Sequence, residues 1–177
     1  GENWTWPQPT VLAASTAPAQ IRTLPNGHLL CVWNQDSPEE IRKGYARTRL
    51  SSAISRDGGR TWEFFQNIDS IHETTRVVPG PITEVRPEEV YGYTAGQPAG
   101  EWDPAYVEPQ GEKQGRWTYP SVLVMQDRVI VAYSTQGELE EHPTEARLVR
   151  TGTGVPGCSQ RLKVLPLKWF YGGKEPV

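Results

Sequence analysis

Two stretches of this 177-residue chain follow one plan. In residues 18–69, Gln20-Ile21-Arg22-Thr23-Leu24 stops at Pro25-Asn26-Gly27, and the apolar run His28-Leu29-Leu30-Cys31-Val32-Trp33-Asn34 follows. An Asn-Gly pair tolerates the positive φ of a tight hairpin, so the two runs read as antiparallel neighbours. A polar stretch, 35–44, leads to Leu50-Ser51-Ser52-Ala53-Ile54-Ser55, then the turn Arg56-Asp57-Gly58-Gly59-Arg60, then Thr61-Trp62-Glu63-Phe64-Phe65. Residues 117–171 repeat the grammar. Tyr119 to Met125 turns through Gln126-Asp127 into Arg128 to Ser134, a polar loop follows, and Ala146 to Arg150 and Leu162 to Trp169 complete the set. Aligned on their second strands, Leu29–Asn34 answers Val129–Ser134.

Two four-stranded units of about 50 residues are what a β-propeller blade repeat looks like. The composition agrees: 7 Trp and 7 Tyr against one Met favour short aromatic-bearing strands, and 17 Gly with 16 Pro supply the turns. The expectation is therefore all-β. Propellers close with roughly four to eight blades, so the chain reads as the C-terminal part of a longer ring. Residues 1–15, with Trp4-Thr5-Trp6-Pro7-Gln8-Pro9-Thr10-Val11-Leu12, read as the outer strand of a preceding blade, 18–69 as one blade and 117–171 as the last. Residues 70–116, broken by Pro79, Pro81, Pro87, Pro98, Pro104 and Pro109, read as an inter-blade loop. Its Tyr91, Tyr93, Trp102 and Tyr106 lead us to expect that it packs over one face of the ring.

Several functions are disfavoured. A formal charge of −3 with mixed signs gives no basic stripe for nucleic acid. No apolar run approaches the roughly 20 residues that cross a bilayer. Cys31 reads as a small buried hydrophobe and Cys158 as a loop residue; neither has a neighbour at zinc-ligand spacing. Glu138-Leu139-Glu140-Glu141-His142 lacks the alternating ligands and glycine of a calcium loop and reads as solvated. No metal and no cofactor is implied. No leader peptide stands at the start of this piece, and a secreted or periplasmic setting is favoured.

Ser55-x-Asp57-x-Gly59-x-Thr61-Trp62 is the sharpest motif. Its physics is local: the carboxylate accepts N–H bonds across the hairpin, the glycine permits positive φ, and the tryptophan buries beside the turn. The pattern resembles the Asp-box, or BNR repeat, carried between third and fourth blade strands in the sialidase superfamily. The resemblance extends over about residues 4–171 and implies a six-bladed propeller. Asp-boxes also occur in non-catalytic propellers, so the box bears on fold alone.

Function rests on two further positions. Arg47-Thr48-Arg49-Leu50-Ser51-Ser52-Ala53-Ile54-Ser55 is similar to the family segment that carries the third arginine of a carboxylate-binding triad, with Arg49 standing where a proline is usual. The resemblance implies Arg47 as a substrate-carboxylate ligand, and a guanidinium fork suits that task. Read without the resemblance, Arg42, Lys43, Arg47 and Arg49 are a basic cluster on a solvated face. Trp117-Thr118-Tyr119-Pro120-Ser121-Val122 resembles the segment bearing the family's tyrosine nucleophile, which implies that role for Tyr119. A neutral phenol avoids the like-charge repulsion that a carboxylate nucleophile would meet at a sialic acid, and it needs a partner base. The family draws that base, the acid/base Asp and the other arginines from earlier blades. The implied function is retaining hydrolysis of a sialoglycan or related acidic sugar, completed by N-terminal blades of the same protein. The alternative is a non-catalytic Asp-box propeller that binds glycans or a protein. His72 and Glu73 read as loop residues, and the spacing of 72 positions from Arg47 to Tyr119 requires an insertion between blades.

Overall fold

The computed structural model describes residues 1–42, 45–79, 115–136 and 158–176. Over these residues the fold is all-β, built from two antiparallel sheets. Strands β1 (Gln20–Thr23), β2 (Leu29–Asn34), β3 (Arg49–Ser55) and β4 (Glu63–Ser70) pair in sequence order as a meander. Strands β5 (Arg116–Val124), β6 (Arg128–Gln136) and β7 (Cys158–Pro166) form the second sheet, again in order. The first hairpin closes as Pro25-Asn26-Gly27 suggests: the Gly27 N–H donates to the Leu24 carbonyl at 2.9 Å, and Gly27 takes φ 84°.

Period-two alternation decides which face of each strand is buried. Leu30, Val32, Leu50 and Ile54 turn to one side of the first sheet and meet Trp117, Val122, Val129, Val131 and Tyr133 of the second. Burying a side chain of this size contributes about 2 kcal/mol, so this shared core holds the sheets face to face. Cys31, Trp33 and Ala53 turn to the other side, where Leu12, Trp62 and Phe65 cover them. The Trp33 indole donates to the Ala13 carbonyl at 2.9 Å and pins the N-terminal segment there.

Several elements differ from the sequence reading. Residues 1–19 contain no strand; Pro7 and Pro9 remove ladder donors from Trp4–Leu12, and the segment lies across the first sheet as irregular chain. The polar stretch after β2 contains a one-turn helix, α1 (Pro38–Arg42). It is capped reciprocally: the Glu40 N–H donates to the Ser37 hydroxyl at 3.0 Å, and the Ser37 N–H donates to the Glu40 carboxylate at 2.8 Å. The last strand ends at Pro166, and Leu167–Tyr171 form a 3-10 helix instead of extending it to Trp169. Gly172, at φ 67°, closes that helix with its N–H on the Trp169 carbonyl. Of the expected inter-blade loop, residues 71–79 are tied to the first sheet, where Gln35 accepts the Val77 N–H at 2.6 Å and donates to the Thr75 carbonyl at 3.0 Å. Tyr91, Tyr93, Trp102, Tyr106, Ala146–Arg150 and Glu138–His142 lie outside the described residues. Among the described residues no helix is long and apolar enough to cross a membrane.

Candidate functional site

The connection from β2 to β3 carries Arg47, and its shape follows from two buried polar side chains. Asn34, fully buried at the end of β2, donates to the carbonyls of Arg49 at 3.1 Å and Trp117 at 2.7 Å, joining both sheets. Asp36 is equally buried, and its Oδ2 accepts the Arg47 backbone N–H at 3.1 Å. The Arg47 carbonyl in turn accepts the Trp117 N–H at 3.0 Å. Both sides of residue 47 are therefore held while its φ stands at 66°, a conformation that L-residues other than glycine seldom adopt. Burial raises the Asp36 pKa above the ordinary carboxylate value; the Arg47 N–H, Ser15 and the Arg49 charge pull against that, and the Glu40 charge adds to it.

Arg49 belongs to the core, not to a solvated basic face. Its side chain is fully buried and donates to Glu40 Oε1 at 2.8 Å, Glu40 Oε2 at 3.1 Å and the Gln35 carbonyl at 2.9 Å. Thr74 accepts two more bonds from it, through its carbonyl at 3.1 Å and its hydroxyl at 2.8 Å. Burial alone would raise the Glu40 pKa, but hydrogen bonds from Arg49 and the Ser37 N–H outweigh it and hold the carboxyl at about 2. His72 joins this cluster: its Nε2 lies 2.9 Å from the Thr48 hydroxyl, its Nδ1 lies 3.8 Å from Glu40, and its ring meets Tyr45 edge-on. Burial first, then the Arg49 charge, lower its pKa against the pull of Glu40. Glu73 is exposed. The side chain of Arg42 and all of Lys43 lie outside the described residues.

Tyr119 sits at a break in the β5–β6 ladder. Thr118 pairs with Ser134 and Ser121 with Ala132, so β5 carries one residue more than β6 across this step. Tyr119 absorbs it with φ 54° and Pro120, which has no N–H to offer, follows it. The bulge turns the tyrosine outward, 57% exposed. The Arg47 guanidinium carbon lies over its ring, 5.5 Å from the centroid, so residues 47 and 119 share one place. The Arg47 side chain spends one Nη2 donor on the Thr16 carbonyl, at 2.9 Å. Arg116 stands near enough for its pKa to be lowered, mostly by burial and further by the Arg47 charge. A guanidinium stacked beside a phenol is a pairing suited to a carboxylate or similar anion. Arg116 has no signal in the sequence of its own; only strand pairing brings it here.

The turn motif occupies the opposite end of β3, roughly 20 Å away for a seven-residue strand. Asp57 accepts the Thr61 N–H at 2.8 Å and the Thr61 hydroxyl at 2.6 Å, which with a bond from Ser55 lowers its pKa to about 2. The Ser55 hydroxyl donates to Asp57 at 2.8 Å and accepts the Gly59 N–H at 2.8 Å, closing the loop from within. Gly58 and Gly59 take φ 73° and 93°, and Trp62 is half-buried beside Phe65 and Cys31. The box thus organises a turn far from Arg47 and Tyr119.

A second polar group links the sheets. Asp69 on β4 accepts from the Tyr133 hydroxyl, from Arg161 at 3.0 Å and from Lys163 at 2.7 Å. Burial, then the Asp69 charge, push the Tyr133 phenol far above its ordinary pKa, so it stays protonated and structural. Among the described residues no cluster of three or more His, Cys, Asp or Glu is arranged to hold a metal ion. Comparison of the chain with protein families, curated proteins and solved structures finds no match.

Proposed function

We propose that the chain is the C-terminal part of a sialidase-type six-bladed propeller that hydrolyses a terminal sialic acid or related acidic sugar with retention. Arg47 binds the sugar carboxylate. Tyr119 attacks the anomeric carbon through its hydroxyl oxygen, its proton passing to a carboxylate base, as the glycosidic bond breaks and the aglycone departs with a proton from the acid; water then cleaves the aryl glycoside formed on Tyr119, which regains its proton. The base, like the proton donor to the leaving group, belongs to segments beyond the described residues.

One observation carries this reading: two residues 72 positions apart, selected on sequence alone, meet at 5.5 Å, each in a left-handed backbone conformation. Of the three such non-glycine residues among the described ones, they are two; Phe64 is the third. Such local strain clusters where function over-determines the backbone. The incomplete ring is supported by apolar surface left bare: Ile21 on β1, Leu123 on β5, and Leu162 and Val164 on β7 are all exposed.

The test is turnover of an aryl sialoside by the full-length protein. Tyr119→Phe is expected to abolish release, and Arg47→Lys to raise KM by at least tenfold. Release that survives Tyr119→Phe unchanged refutes the nucleophile; saturable sialoglycan binding with no turnover in the intact protein replaces the enzyme by a binding module.

A further inference from the structure

We propose that Asp36 is a positioning residue of this site: by accepting the Arg47 N–H, it locks residue 47 in its left-handed conformation and so sets the guanidinium over the Tyr119 ring. The inference rests on the glycosidase reading for its purpose, but its geometry stands without it.

The left-handed region crowds the Cβ of a non-glycine residue against the following carbonyl oxygen, so a restraint must hold Arg47 there. Two bonds do so. The Trp117 N–H fixes the carbonyl side at 3.0 Å, and Asp36 fixes the N–H side at 3.1 Å. Trp117 is itself gripped from its other side, since its carbonyl accepts the Asn34 amide at 2.7 Å. Asn34 ends β2 and Asp36 lies two residues beyond it, both buried. From that single anchor one arm reaches Arg47 and the other reaches the strand that bears Tyr119 two residues later. The distance between guanidinium and phenol is thereby referred to one rigid point.

A neutral amide would serve the hydrogen bond equally well, yet a carboxylate stands there at 1% exposure. Its second oxygen, Oδ1, completes no hydrogen bond among the described residues, although the Ser15 hydroxyl is near enough to lower the carboxyl pKa. Burying an anion with half its acceptors unused is costly unless cationic neighbours offset it. The Arg49 charge offsets part of that cost, while the Glu40 charge adds to it.

The experiment is solution NMR on the full-length protein, with titration of N-acetylneuraminic acid as a second readout. Wild type is expected to show a nuclear Overhauser contact between the Arg47 side chain and the Tyr119 ring. Asp36→Ala should lose it while the β2–β3 amide pattern persists, and Asp36→Asn, which keeps an acceptor, should restore it. Affinity for the sugar should fall about tenfold in Asp36→Ala and recover in Asp36→Asn. Should Asp36→Ala fail to fold, wild type decides: the Arg47 amide must be protected from exchange and must shift as the Asp36 carboxyl titrates beside Glu40 and Arg49. A contact that survives in folded Asp36→Ala, or an Arg47 amide blind to that titration, overturns the proposal. Wild type that shows the contact but does not bind the sugar overturns the glycosidase reading instead, and leaves the positioning by Asp36 supported.

Discussion

Glu40→Gln should cost this protein about 2–3 kcal/mol at pH 7, because it removes the carboxylate that bonds a guanidinium with no exposed surface. Two routes give that size. Breaking a buried ion pair typically costs about 3–5 kcal/mol, and Arg49 keeps its bonds to Gln35 and Thr74, which places the loss at the lower end. Independently, the Glu40 carboxyl moves from 4.5 to about 2, and at about 1.4 kcal/mol per unit that is roughly 3 kcal/mol. With the side chain 20% exposed, solvent screening trims this to about 2 kcal/mol. The sign with pH follows from the lowered value. The stabilisation is complete above pH 4.5 and disappears as pH falls through about 2, so wild type should lose this increment across that window while Glu40→Gln should not. Urea unfolding of both proteins at pH 7, 4.5 and 2.5 reads out the difference. A variant within 0.5 kcal/mol of wild type at pH 7, or one with the same acid branch, would show that Arg49 is held without Glu40 and refute the reasoning.

Gly59→Ala should destabilise the turn by about 1 kcal/mol or more in thermal unfolding; a Cβ there meets nothing closer than 3.8 Å, so the cost arises from φ 93° and not from crowding. Equal stability would mean that the turn relaxes. Tyr133→Phe should cost about 2 kcal/mol by removing a charge-assisted bond to Asp69, with the Arg47–Tyr119 contact unchanged; a loss below 0.5 kcal/mol would show that Arg161 and Lys163 satisfy Asp69 alone. Cys31, whose thiol burial pushes up to about 12, should resist alkylation at pH 8 until denaturant is added, as followed by peptide mass; rapid labelling of the folded chain would contradict its place in the core.

Local chemistry made the first sheet readable. Asn26-Gly27, the box from Ser55 to Trp62, and the alternation of Leu30, Cys31, Val32 and Trp33 each act over a few residues, and each has a direct structural counterpart. The helix α1 was also legible, since Ser37-Pro38-Glu39-Glu40 is a capping box with proline at its first helical position, but its polar composition read as loop. Arg49 was not legible. Its partners Gln35, Glu40 and Thr74 come from three separate places, and no spacing rule announces a guanidinium that only tertiary folding encloses. The same holds for Asp36, Asn34 and Arg116. Arg47 and Tyr119 were singled out by resemblance; the bulge and the left-handed backbones at these positions were not legible, because neither tyrosine nor arginine signals positive φ.

The extra residue in β5 has a consequence for how the chain can change over evolutionary time. Trp117 and Val122 are separated by five positions, an odd number, yet both face the shared core. In an unbroken strand they would point to opposite sides. Only the phase slip at Tyr119-Pro120 reconciles them, so deleting a single amino acid there would send one of the two into water. Whatever surface Tyr119 offers is consequently inherited together with the hydrophobic interior, and lineages are not free to erase the first while keeping the second.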